Sequence, residues 1–97
     1  MKTTVVNLHK EPYDVYIGRF GKEKDGYFGN PFVMTEEAQR ASSLRKYGEW
    51  FLRRVNGDEE FRKRIEGLKG KRLGCFCKPK ACHGDIIAEY LNRDSLL

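Results

Sequence analysis

The sequence predicts a small single-domain α/β sandwich, in the order β-β-α-α-β-α, with at least one parallel strand pair. Three observations carry that prediction. Two β-branched segments stand near the start, two stretches with helical periodicity follow them, and a third strand-like segment runs directly into a last amphipathic stretch. Helical crossovers between strands of one sheet favour parallel pairing, with a right-handed connection from the second strand to the third. Ninety-seven residues make one domain over 1–97, with room for a modest core.

Thr3 to Leu8 is rich in β-branched side chains and reads as the first strand. Asn7 interrupts its apolar run. An amide there costs stability until its polar ends are satisfied, so it is either a core hydrogen-bonding residue or a ligand contact. Pro12 breaks the strand, and Tyr13 to Ile17 forms a second, with Tyr13, Val15 and Ile17 on one face. Gly18 to Phe32 holds four glycines and a proline, a loop long for so small a domain. Thr35 is placed to cap a helix whose first turn carries Glu36 and Glu37. Ala38, Ala41, Leu44, Tyr47, Phe51, Leu52 and Val55 then recur at helical spacing until Asn56-Gly57. Asp58 caps a shorter helix with Phe61, Ile65 and Leu68 inward. Lys71 to Cys77 is the third strand, with Leu73, Cys75 and Cys77 on one face. Residues from about Gly84 to Arg93 form the last helix, burying Ile86, Ile87, Tyr90 and Leu91.

No apolar run is long enough to span a bilayer, and the chain opens on a strand-like segment rather than a signal peptide. It reads as soluble and cytoplasmic, with no membrane partner. Three cysteines clustered within eight positions do not make a disulfide framework, which would staple distant parts of the chain. The net charge of +5 is uneven, with eight basic residues and one acid, Glu66, between Arg62 and Lys80. That stretch is either a solvated face or an attractor of phosphate-bearing ligands or nucleic acid. The oligomeric state is not legible.

Ligands of open α/β sheets lie outside the carboxyl ends of the strands. Two such ends stand out, Gly18-Arg19 after the second strand and Lys78 to Gly84 after the third, and parallel strands would open both on one side. The second end gathers all three cysteines, one of two histidines and two lysines at a strand-to-helix junction, where backbone N–H groups bind anions. Cys75, Cys77, Cys82 and His83 are the ligand types of a Cys3His zinc site. The adjacency of Cys82 and His83 strains that geometry, and Cys75 and Cys77 serve as well as small buried hydrophobes. No cofactor is therefore favoured, and zinc on those four residues stands as the alternative.

The favoured arrangement is a helix N-terminus at which Gly84 lets the backbone approach a ligand. There Cys82 would have a lowered pKa, and Cys82 and His83 are the candidate catalytic groups. Asp85 either caps the helix, the simpler role, or meets the ligand. No Gly-x-x-x-x-Gly-Lys-Ser/Thr occurs, which argues against P-loop ATP hydrolysis. In the glycine-rich loop, Arg19 suits bidentate phosphate or carboxylate recognition. Asn30, in Gly29-Asn30-Pro31-Phe32, can pair both ways with a base edge or ribose. Phe20, Tyr27, Phe28 and Phe32 either stack on a base or fold inward, the latter being simpler. His9 reads as a strand-end residue.

Val5-Val6-Asn7-Leu8, Asp14-Val15-Tyr16-Ile17-Gly18-Arg19, Gly29-Asn30-Pro31-Phe32, and Leu73 to Cys77 continuing through Cys82-His83-Gly84-Asp85 resemble, in order, the pattern of DUF4326. That is a domain of unknown function in small proteins of bacteria, archaea and bacteriophages. The resemblance covers nearly the whole chain and carries over Asn7, Arg19, Gly29, Asn30, Pro31, Cys77, Cys82, His83 and Gly84. The family's usual Arg near His9 and frequent Trp at Phe76 are departures that leave the pattern intact. The resemblance implies a microbial or phage setting and no reaction.

Two functions follow as expectations. In the first, Asn7, Arg19, Gly29, Asn30, Lys78, His83, Gly84 and Asp85 converge on a nucleotide or another phosphorylated nucleoside derivative. Binding is favoured over bond cleavage there, because no carboxylate pair stands ready for acid–base work. The alternative is a nucleic-acid-binding module, zinc-stabilised or not, using the basic 62–80 stretch.

Overall fold

A computed structural model of the chain describes residues 2–18, 26–32, 35–76, 78 and 80–93. The elements are β1 (Thr4–Asn7), β2 (Val15–Tyr16), α1 (Arg40–Gly57), α2 (Glu59–Glu66), β3 (Arg72–Cys75) and α3 (His83–Asn92), in the order expected. The sheet runs β1-β3-β2, and both of its pairings are parallel. The predicted parallel crossover from β2 to β3 is present, and β1 joins the same central strand.

Register assigns the two faces. Val5, Leu73 and Val15 are level across the sheet, as are Val6, Gly74 and Tyr16. Side chains alternate along a strand. Leu73, Cys75 and Ile17 enter the core with the helices, so Val6, Gly74 and Tyr16 face the other way. All the large fully buried side chains, among them Tyr47, Phe51, Phe61 and Ile87, belong to the helix side of this two-layer arrangement.

The far face is covered by the chain between β1 and β2. Residues 8–14 must pass from the end of one outer strand to the start of the other, across β3. The Tyr13 ring lies on Gly74, where a Cβ would come within 2.7 Å of Tyr13 Cγ. Beside it the Asp14 carboxylate accepts from the Arg72 backbone N–H at 2.8 Å and pairs with its guanidinium at 3.2 Å. A glycine at 74 is thus the seat of an aromatic lid on the sheet.

Helix α1 presents Ser43, Tyr47, Phe51 and Val55 inward, a row of four-residue steps. The expected inner face also included Ala38, Ala41, Leu44 and Leu52. Ala38, Ala41 and Leu52 are exposed and Leu44 is half-buried, because the row that meets the core is narrower than the apolar stripe. The expected cap also moves. Glu36, not Thr35, caps a 3-10 turn over Glu37–Gln39 that leads into α1, because Gln39 reaches back in a capping box. Gln39 Oε1 also accepts from the Thr35 N–H at 2.7 Å. Asp58 does cap α2, accepting from the Phe61 N–H at 3.1 Å. The turn from α2 to β3 requires Gly70, whose φ of 80° lies in the left-handed region.

The second and third strands are shorter than the segments predicted for them. At the far end, Asn92 of α3 accepts from the Thr3 N–H and donates to the Thr3 carbonyl, both at 2.8 Å, while Thr3 Oγ1 accepts from the Gly70 N–H. The sequence's two halves are sewn together there. Among the described residues no helix is long and apolar enough to cross a membrane.

Candidate functional site at the carboxyl ends of the strands

Because the three strands are parallel, their carboxyl ends share one edge of the sheet, where α3 begins. Of the predicted residues that the structure describes, Asn7, Lys78 and the start of α3 from Cys82 to Asp85 lie at this edge, whereas Asn30, next to Gly29, is hydrogen-bonded to Ser43 of α1. Asn7 closes β1. Its Nδ2 donates to the Lys78 carbonyl at 2.8 Å, and its Oδ1 accepts from the His9 N–H at 2.9 Å. One amide thereby ties the exit of β1 to the exit of β3. The polar residue within the apolar strand is satisfied at both ends.

The segment between β3 and α3 is anchored from several sides. Arg40 Nη1 donates to the Ala81 carbonyl at 2.7 Å, Lys80 pairs with Glu37 at 3.2 Å, and Lys78 Nζ donates to Asp85 Oδ1. The Asp85 hydrogen bond holds the Lys78 pKa above its ordinary value.

The N-terminus of α3 differs from the open anion site expected there. The Asp85 carboxylate accepts from the Cys82 N–H at 3.0 Å in a capping box with Cys82. Gly84 is buried against the sheet, and a Cβ at that position would lie 2.6 Å from Ile17 Cδ1 and 3.0 Å from Val5 Cγ1. The glycine therefore serves the close approach of α3 to β1 and β2. The negative charge that this helix end attracts is the chain's own Asp85.

The expected lowering of the Cys82 pKa is overturned. The thiol is 1% exposed, and its Sγ stands 3.0 Å from that of Cys75, also buried. That hydrogen bond and the burial push the Cys82 pKa up, outweighing the helix terminus. Cys82 is a thiol in this environment, not a thiolate. Cys77 lies outside the described residues, and among the described residues no group of three or more His, Cys, Asp or Glu is arranged to hold a metal.

His83 is buried, its Nε2 2.6 Å from the Ile17 carbonyl. A carbonyl only accepts, so Nε2 carries the proton and donates. The ring meets Tyr47 edge-on at 5.2 Å. Asn30 is buried too. Its Nδ2 donates to Ser43 Oγ at 2.9 Å, its Oδ1 accepts from the Phe32 N–H at 2.8 Å, and Ser43 Oγ donates to the Phe32 carbonyl. The Gly29–Phe32 turn and His83 thus meet the same stretch of α1, Ser43 to Tyr47. Both are engaged by protein partners. Gly29 is buried within its turn, its N–H donating to the Gly26 carbonyl. Tyr27, Phe28 and Phe32 pack against the core, with Tyr27 also beneath the Arg64 guanidinium at 4.3 Å. Arg19 and Phe20 lie outside the described residues.

Around the Asn7–Lys78 link lies a cleft of about 350 Å3, lined by Val5, Asn7, Lys10, Glu11 and Lys78. It holds two of the predicted ligand residues, Asn7 and Lys78. Lys10 and Glu11 were not anticipated. They follow β1, and the strand-end rule would have found them had the parallel pairing of β1 been legible. Phe76, just past β3, is 55% exposed beside His9 and Tyr16. A second groove of about 480 Å3 runs between α1 and α3 past Gly48, Leu52, Ile86 and Tyr90, and contains none of the predicted residues.

The molecule is a two-layer, all-parallel α/β domain with a cleft at its strand ends. A family model, described as a domain of unknown function (DUF4326), matches residues 2–93. The chain belongs to that family. It is 40% identical over 89 residues to a protein of Enterobacteria phage T4 described as "Uncharacterized 12.4 kDa protein in nrdA-td intergenic region", covering 92% of this chain and 77% of the relative. No solved structure matches the chain.

Proposed function

We propose that this protein binds a nucleotide or another phosphorylated nucleoside derivative in the cleft at the carboxyl ends of its strands. The observation that carries the reading is the chemistry of that cleft. Lys10 supplies an ammonium group for a phosphate, Lys78 a second that is already paired with Asp85, and the Glu11 carboxylate supplies acceptors for ribose hydroxyls. Asn7 and Asp85 hold the two strand exits and the Lys78 ammonium in place before any ligand arrives, which lowers the ordering cost of binding. Arg19 follows Gly18 directly after β2, the third strand end, and belongs to the same reading.

The nucleic-acid alternative draws less support. Of the eight basic residues from Arg62 to Lys80, six are engaged in ion pairs: Arg62, Lys63, Arg64, Arg72, Lys78 and Lys80. Glu59, Glu60 and Glu66 on α2 answer the helical ones, so the apparent charge excess is largely offset by acids folded beside it. Exposed pairs of this kind are worth little to stability, but they reduce the local field offered to a polyanion.

Thermal unfolding against a panel of ribo- and deoxyribonucleoside mono- and triphosphates tests the reading. A bound nucleotide stabilises by an amount that rises with the logarithm of its concentration, about 2.7 kcal/mol at a hundredfold excess over Kd. Lys10→Glu is expected to abolish the shift while circular dichroism stays unchanged. A flat panel refutes the proposal. Binding to mixed-sequence DNA or RNA that weakens steeply with salt would favour the alternative.

A further inference from the structure

We infer that Phe76 is a nucleobase-stacking platform for this cleft, a role that rests on the nucleotide reading above and extends it to the base. Among the described residues, three large hydrophobic side chains are exposed: Tyr13, Leu52 and Phe76. Tyr13 covers Gly74, and Leu52 borders the α1–α3 groove, which shares no lining residue with the strand-end cleft. Phe76 does not close the core. It stands on the sheet face away from the helices, past the cover that residues 8–14 provide, with more than half its surface in water.

Two ring contacts fix its orientation. His9 lies 5.3 Å away between centroids, tilted by 47°, and Tyr16 lies 6.2 Å away at 80°. A ring held by its neighbours and still open to solvent binds a flat partner without first losing much side-chain entropy. Aromatic partners stack on such a ring with little regard to base identity.

The placement also matches a nucleotide's own layout. Phe76 and Lys78 are two residues apart, so their Cα atoms are at most about 7 Å apart. His9, against Phe76, precedes Lys10, and the Asn7 amide clamps these two exits together. Phe76 and its ring neighbour His9 thus stand within two positions of the cleft-lining Lys78 and Lys10, an apolar ring and two ammonium groups carried by the same pair of strand exits. The occupant this suits is a nucleoside 5′-phosphate, with purines favoured over pyrimidines by their larger stacking area.

The test compares binding of adenosine, guanosine, cytidine and uridine 5′-monophosphates with that of ribose 5-phosphate by titration calorimetry. The proposal expects the best nucleotide to bind at least about tenfold more tightly than the sugar phosphate. Phe76→Ala should erase that difference. Phe76→Trp should retain it, and its indole fluorescence should be quenched by the nucleotide. Nucleotide and sugar phosphate binding equally well to the unmodified protein, or a preference that survives in Phe76→Ala, overturns the platform while leaving the phosphate reading intact. A loss of self-association in Phe76→Ala with unchanged nucleotide preference overturns it likewise and assigns the ring to a protein contact. Failure of every probe to bind overturns the platform, and a flat thermal panel of mono- and triphosphates overturns the nucleotide reading with it.

Discussion

Asp85 shows how one side chain at the head of α3 does several jobs. It accepts from the Cys82 N–H, completes the capping box and holds the Lys78 ammonium over the strand ends. Asp85→Ala removes the cap and the ion pair together, and a cost of about 1 kcal/mol is expected in urea denaturation. Asp85→Asn keeps the backbone acceptor and loses the charge, which isolates the ion pair. Its pH dependence has a definite sign. Because Asp85 raises the folded pKa of Lys78, the pair's contribution is fully present below the lysine's unfolded value of 10.5. It is lost as pH rises through the folded value. The stability gap between the native protein and Asp85→Asn should therefore narrow above about pH 10.5, and a gap that widens there would contradict the assignment.

The packing of α3 on the sheet depends on Gly84, the element-scale counterpart of that cap. Alanine in place of glycine gains up to about 1 kcal/mol of helix propensity. Here the added Cβ meets Ile17 and Val5 at 2.6 and 3.0 Å, and Ile17 is fully buried. Overpacking of that kind costs typically about 1–3 kcal/mol, so Gly84→Ala is expected to destabilise, read as a lower urea midpoint. The glycine's place was legible in the sequence and its task was not, because nothing local announces which backbone comes close. The same contrast runs along the chain. Helix α2 was readable from Asp58 and its apolar spacing. Ser43 carries no apolar signal, yet it is buried because Asn30 and the Phe32 carbonyl satisfy its hydroxyl. Strand β2 has only two residues in its ladder, and the parallel pairing of β1 depends on a partner 68 positions away. That pairing put Lys10 and Glu11 beside the site without any sequence signal to say so.

At the scale of the molecule, carboxylates tie separate parts together, and acid should loosen them jointly. Asp14 joins the cover of the far sheet face to β3, Glu37 joins the start of α1 to the segment before α3, and Asp58 joins α1 to α2. Hydrogen bonds hold the pKa of each below its ordinary value: from Arg72 to Asp14, from Arg40 and Lys80 to Glu37, and from the Phe61 N–H to Asp58. A depressed carboxyl contributes stability above its unfolded value and loses it as pH falls through the folded one. The melting temperature is expected to drop below about pH 4, and Asp14→Asn to show a shallower decline. An acid profile identical in the variant would remove Asp14 from the account. The sheet's strand order has one more outcome. Both outer strands bond only to β3, so no ladder forms until Arg72–Cys75 has been synthesised. During synthesis β1 and β2 therefore wait unpaired while α1 and α2 are made, and the parallel sheet closes only once Arg72–Cys75 has emerged behind both helices.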